Sequence, residues 1–275
     1  MQDSGSVWSR PLGQSYLQWA QTQLDQSVVD LFGYHAIQLG FPELDALRSS
    51  RIQHRWYAHT EASPLQAFAP PSFLDRPDAV AWMDSTALPL APQSLDLVVL
   101  PHTLELSHDP HQTLREVERV LVAEGKVVIQ GFNPWSLWGW RQQRSRWLTR
   151  LGVGEVFMPD HGEWLGIKRV RDWLHLLGFE VQTSAYGVYR PAWESAQWLA
   201  RTEWMERAGD RWWPFGGAAY ALVAIKRVRG MRWVKPIWRR SPARGRRAVT
   251  SLNSTGAHRH NPGQALGQGV PQRKT

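Results

Sequence analysis

Residues 84–129 read DSTALPLAPQSLDLVVLPHTLELSHDPHQTLREVERVLVAEGKVVI, and this stretch decides the fold. Leu95–Leu100 (LDLVVL) is a short apolar run with a β-branched centre, and Lys126–Gln130 (KVVIQ) is another. Such nearly continuous runs suit strands buried on both faces of a parallel sheet. Between them Asp109 is placed to cap a helix, Pro110 takes its first position, and Gln112 completes a capping-box spacing. Leu114, Val117, Val120 and Leu121 recur at helical spacing on one face, and Gly125 predicts a left-handed C-cap. A strand–helix–strand unit implies a right-handed parallel crossover.

The same reading extends outward. Ala79–Met83 (AVAWM) predicts a strand ending at Asp84, and His35–Leu39 (HAIQL) a first strand ending at Gly40. Glu43–Ser50 predicts a short helix, and Gln53–Ala58 (QHRWYA) a second strand. Val170, Trp173, Leu174 and Leu177 form a helical stripe stopped by Gly178. Phe179–Thr183 and Ala219–Ile225 predict two late strands, and the Trp-rich 185–215 region between them a helix near Trp193–Arg207. Alternating strands and helices predict an α/β, doubly wound sheet, with its ligand beyond the carboxyl ends of the strands at the switch point.

Charge divides the chain. Residues 226–275 hold 13 Lys and Arg and no acidic residue; removing them from the chain's net +8 leaves −5 for residues 1–225. From Ser241 onward, Gly, Pro, Ser, Asn and Gln predict disorder. Cysteine is absent, which excludes disulfides, a thiolate nucleophile and Cys-ligated zinc. The N-terminal residues lack the apolar core of a signal peptide, and no apolar run approaches the roughly 20 residues of a membrane span. A cytoplasmic protein is the expectation.

Several motifs in residues 84–129 resemble, in order and at the right spacing, the class I S-adenosylmethionine-dependent methyltransferases, nearest to the group called methyltransferase type 11. They are Asp84, Leu88-Pro89-Leu90, Ser94 to Val98, Leu104-Glu105, Asp109-Pro110, Arg119-Val120-Leu121 and Gly125. The resemblance implies a seven-stranded, mostly parallel Rossmann-like sheet over residues 31–229, with insertions at about 131–168 and 185–215. A helical extension (1–30) would precede it and a basic tail (230–275) follow. It implies S-adenosylmethionine as cofactor. Asp84 would accept from the adenine amino group with Ser85 beside it, and Pro101 and His102 would border the methionine and substrate side. Gln38 and Gly40 would belong to the first loop, and Glu61, 21 residues after Gly40, would grip the ribose. Asp96 is expected to hold the loop before its strand. The sequence departs from the family in that loop. Gly40-Phe41-Pro42-Glu43-Leu44 keeps only the first of the glycines that let the backbone pass close to the cofactor, and Gln38 replaces an acidic residue.

Other patterns are weaker. Ser107-His108-Asp109 are consecutive and cannot converge as a catalytic triad. His102, His108 and His111 lack a carboxylate at ligand spacing, so no metal site is predicted. Asn133-Pro134-Trp135 is expected to close a strand. Trp193, Trp198, Trp204, Trp212 and Trp213 are expected to pack in a helical core, a lid over the substrate being the alternative. Trp135, Trp138 and Trp140 with Arg141, Arg144 and Arg146 suit a solvated amphipathic helix, a nucleic-acid face or a membrane surface. The basic tail could meet nucleic acid or an anionic surface by charge. Two functions of different class follow: a methyltransferase of unknown acceptor, or a methyltransferase-like scaffold without cofactor that acts through its Trp-rich insertion and tail.

Overall fold

The computed structural model describes residues 8, 10–60, 79–152, 157–158, 162–192, 201–202, 204–213 and 215–228. Residues 1–230 group as one compact unit, separate from 231–275; the predicted basic tail lies outside the described residues. Seven strands form one sheet: β1 (His35–Leu39), β2 (His54–His59), β3 (Ala79–Trp82), β4 (Leu95–Pro101), β5 (Leu121–Phe132), β6 (Phe179–Gly187) and β7 (Ala219–Lys226). Their order is β3-β2-β1-β4-β5-β7-β6, parallel except for β7, which runs antiparallel to both neighbours. The order reverses between β1 and β4, which makes that junction the switch point.

Alternation along the strands feeds two cores. Ala36, Leu97, Val99 and Val128 face one core, where helix α1 (Pro11–Val28) contributes Tyr16, Ala20, Leu24 and Val28. Ile37, Val98, Leu100, Val127 and Ile129 face the other. There they meet Leu114, Val117 and Val120 of α3 (Pro110–Val120) and Ile167, Val170 and Leu174 of α5 (Ile167–Leu176). A four-residue α2 (Thr103–Leu106) follows β4, α4 (Leu137–Arg150) follows β5, and α6 (Trp204–Trp212) precedes β7.

Asp109 caps α3 as expected, accepting from Gln112 N at 2.9 Å. Asp96 also acts as expected: its Oδ2 accepts from Tyr34 N and His35 N at the entry to β1. Arg119 gives the RVL segment a structural purpose, donating to Leu88 O and Leu90 O at 2.8 Å and pairing with Glu116, so α3 grips the loop after β3. Two local expectations are corrected. Gly125 is not a helix cap: α3 runs directly into β5, and the left-handed residue is Glu124 (φ +63°). Residues 43–50 form turns rather than a helix, because Gln38 and Gln21 satisfy the segment's backbone groups from outside. No helix among the described residues is long and apolar enough to cross a membrane.

Candidate functional site

The chain leaves β1 through Gly40 at φ +73°, a left-handed turn that glycine enters without strain. Phe41 follows at φ +48° and points inward, only 1% exposed. The loop is held by Gln38. Its Nε2 donates to the carbonyls of Gly40 (3.2 Å), Phe41 (3.2 Å) and Leu44 (2.8 Å), and its Oε1 accepts from Ala46 N (2.9 Å). An amide can do this and a carboxylate cannot, since three of the four bonds require a donor. Gln38 is thus committed to the loop's own backbone. Leu44 turns into the α1-side core rather than into the crevice.

Two buried polar atoms flank this turn without a hydrogen-bond partner among the described residues: Glu43 Oε2 and Thr60 Oγ1. A Cβ placed on Gly40 would lie 3.5 Å from Thr60 Oγ1 and from Thr103 Oγ1. Burial raises the Glu43 carboxyl above the usual glutamate range, and the nearby His102 opposes that shift. Neither residue is marked by a motif in the sequence: Glu43 stands in the loop that lacks the family's later glycines, and Thr60 follows β2.

Past β3, Asp84 Oδ1 accepts from Thr86 N and Thr86 Oγ1, both at 2.8 Å, and these bonds lower its pKa. Ser85 is buried, its Oγ 3.2 Å from Thr113 Oγ1 and 3.5 Å from Ser107 Oγ, so it ties the loop to the start of α3. Glu61 lies outside the described residues.

Pro101 ends β4, and His102 follows at φ +57°, wholly buried. Tyr16 Oη bonds His102 Nε2, and His102 Nδ1 lies 2.7 Å from Glu105 Oε2. Glu105 Oε1 in turn accepts from Phe132 N at 2.5 Å. Burial raises the Glu105 carboxyl, against the lowering pull of His102. Phe41 and Phe132 pack on the imidazole, with ring centroids 5.0 and 4.3 Å away. Both ring nitrogens of His102 are engaged, so this chain of bonds welds α1, β4 and β5 rather than offering a free base. Thr103 Oγ1 donates to Leu39 O at 2.5 Å and pins β4 to the end of β1. Glu105 stood in the sequence motif; Tyr16, far away on α1, left no signal.

On the same edge of the sheet, Asn133, Trp135, Gly166, Ile167, Lys168, Tyr186 and Phe215 line a cavity of about 470 Å³. Asn133 Nδ2 donates to Phe215 O and Gly217 O, and its Oδ1 accepts from Trp135 N. Asn133 therefore acts as the expected turn residue, setting Trp135 and Phe215 at the cavity mouth.

The profile of a family described as a methyltransferase domain matches residues 66–129. A Thermotoga maritima structure described as a S-adenosylmethionine-dependent methyltransferase aligns with TM-score 0.51 and 16% identity, covering 82% of this chain and 100% of that one. The complex of the Haloferax volcanii Trm112 methyltransferase activator with its methyltransferase gives TM-score 0.52 and 16% identity, over 79% and 93%. The chain has the class I methyltransferase fold. The YafS protein of Escherichia coli (strain K12), itself uncharacterized, is 30% identical over 172 residues, 62% of this chain and 63% of that protein. The chain thus matches less than two thirds of that relative's length.

In this fold the switch point is mixed in character. Toward β4, Tyr16, Phe41 and His102 are packed together. Beyond the Gly40 turn Glu43 Oε2, and at the end of β2 Thr60 Oγ1, are buried without a hydrogen-bond partner among the described residues, and after β3 the Asp84 carboxylate is partly open to solvent. A ligand bearing hydroxyl and amino groups would satisfy these atoms, so the residues fit S-adenosylmethionine.

Proposed function

We propose that this protein transfers a methyl group from S-adenosylmethionine to an acceptor entering at the Trp135–Phe215 cavity. The observation that carries the reading is that Glu43 Oε2 and Thr60 Oγ1, which follow the left-handed Gly40 turn and β2, are buried with no hydrogen-bond partner among the described residues. A buried acceptor or donor without a partner costs about 1–3 kcal/mol, which a ligand would recover. When bound, the cofactor supplies an electrophilic methyl group on a sulfonium.

The chain's residues supply position. Glu43 would accept from the cofactor's amino or hydroxyl groups, Thr60 would pair with a hydroxyl, and Asp84 would accept from the adenine amino group. Gly40 would keep the backbone close. Gln38, Thr103 and the Tyr16–His102–Glu105 chain hold the walls rigid, as transfer by proximity demands. Those buried groups have partners already, so the acceptor is a nucleophile in its own right, such as an amine, thiol or enolate.

Calorimetric titration with S-adenosylhomocysteine tests the reading. A dissociation constant of about 10–100 μM is expected, corresponding to roughly −5.5 to −7 kcal/mol, with one glycine retained in the loop. Gly40→Val should abolish binding by forbidding the turn. No binding at millimolar ligand would leave the scaffold reading in its place.

A further inference from the structure

We infer that α4, together with the Trp-rich end of α6, is a docking face for an anionic lipid surface. Trp138, Gly139 and Gln142 form the buried face of α4. The opposite side carries Leu137, Trp140, Trp147 and Leu151, at spacings of three, seven and four residues, which makes one stripe along the helix. All four are exposed, Trp140, Trp147 and Leu151 by 60% or more. Leu137 also lines a groove with Trp204, Trp212 and Trp213, so the stripe continues onto α6, where Trp204 and Trp212 are exposed. This corrects the expectation that Trp204, Trp212 and Trp213 pack in a core; Trp193 and Trp198 lie outside the described residues. Indole rings gathered on one surface mark a contact site, because a soluble surface rarely concentrates large apolar groups.

Charge selects the partner. Residues 137–150 contain Arg141, Arg144, Arg146 and Arg150 and no acidic residue. Arg144 lies over the Trp140 ring, 5.6 Å from its centroid, and both Arg144 and Arg150 are exposed. Arg141 and Arg146 are partly occupied, donating to Ala192 O and Gly162 O. Tryptophan favours the headgroup zone of a bilayer and arginine its anionic phosphates. Aliphatic Leu137 and Leu151 within the stripe favour acyl chains over stacked bases. Residues 231–275 carry 10 further cations and no acidic residue, the second signal that stable peripheral binding needs.

Flotation of the full chain with vesicles tests this, comparing pure phosphatidylcholine with a 3:1 mixture of phosphatidylcholine and phosphatidylglycerol. The chain should float with the anionic vesicles only. W140A/W147A should float at least fivefold less while melting at the native temperature, since both side chains are exposed. Brominated phosphatidylglycerol should quench native tryptophan fluorescence, which keeps the test valid even where the variant folds poorly. The inference fails if the native chain does not float, if the double variant floats like the native chain, or if brominated lipid leaves fluorescence unchanged. It also fails if W140A/W147A instead abolishes a native dimer or RNA binding without affecting flotation.

Discussion

Glu43 carries the sharpest residue-scale consequences. Its carboxyl is raised in the folded protein, mainly by burial. Between the usual glutamate value and the raised one the folded state binds more protons than the unfolded chain, so stability falls as pH rises through that window and stays lowered above it. Glu43→Gln removes the buried charge. It should melt above the native protein at about pH 7 and level with it at about pH 4, measured by calorimetry across pH. The same variant should weaken S-adenosylhomocysteine binding about tenfold or more, the scale of a charge-assisted hydrogen bond of 1.5–3 kcal/mol. Asp84→Asn keeps the oxygen that turns the chain at Thr86 and removes only the charge. Its apo melting temperature should stay within about a degree of native, while affinity falls by a similar factor. A matching loss of stability with intact affinity would make Asp84 a turn residue alone. Asp84 could be found in the sequence because it is a carboxylate that ends an apolar run at the expected place in the motif order. Glu43 and Thr60 could not, because only the fold buries their oxygens.

At the scale of elements, β1, β4 and α3 were legible because each is written locally: an apolar run or a capped amphipathic helix bounded by Gly or Pro. The strand order was legible only through the motif order. A helical extension was expected over residues 1–30, but what α1 packs against escaped. Nothing in PLGQSYLQWAQTQLDQSV names its partners, which lie 24 to 110 residues away. The structure shows Gln130 Nε2 donating to Ala20 O at 2.9 Å, Gln21 bracketing Asp45, and Leu24 wholly buried. Leu24→Ala should therefore cost about 2–5 kcal/mol in chemical denaturation, the range for a large-to-small core change. A loss below about 0.5 kcal/mol would make α1 a dispensable appendage. Tyr16→Phe, which deletes the bond to His102 but keeps the ring, should cost about 1–3 kcal/mol by orphaning a buried imidazole nitrogen.

For the molecule as a whole, residues 1–230 form one compact unit. A chain truncated after Gly230 should keep the native denaturation midpoint and lose salt-sensitive affinity for anionic vesicles, because the cut removes 10 of the 13 cations and leaves every strand of the sheet in place. A lowered midpoint would mean that the tail supports the core. The antiparallel β7 bears on a different matter, the making of the protein. It fills the slot between β5 and β6, and Phe132 and its partner Ala219 lie 87 positions apart. At 5–20 residues per second, a ribosome needs roughly 4–17 s to deliver one after the other. Throughout that interval the apolar edge of β5 stands open, and β6, already synthesised and running in the same direction as β5, can pair with it prematurely and shut β7 out. Soluble yield in a producing cell is then governed by whatever guards that edge during those seconds, so slower initiation or added nascent-chain chaperones should raise it more than any gain in final stability.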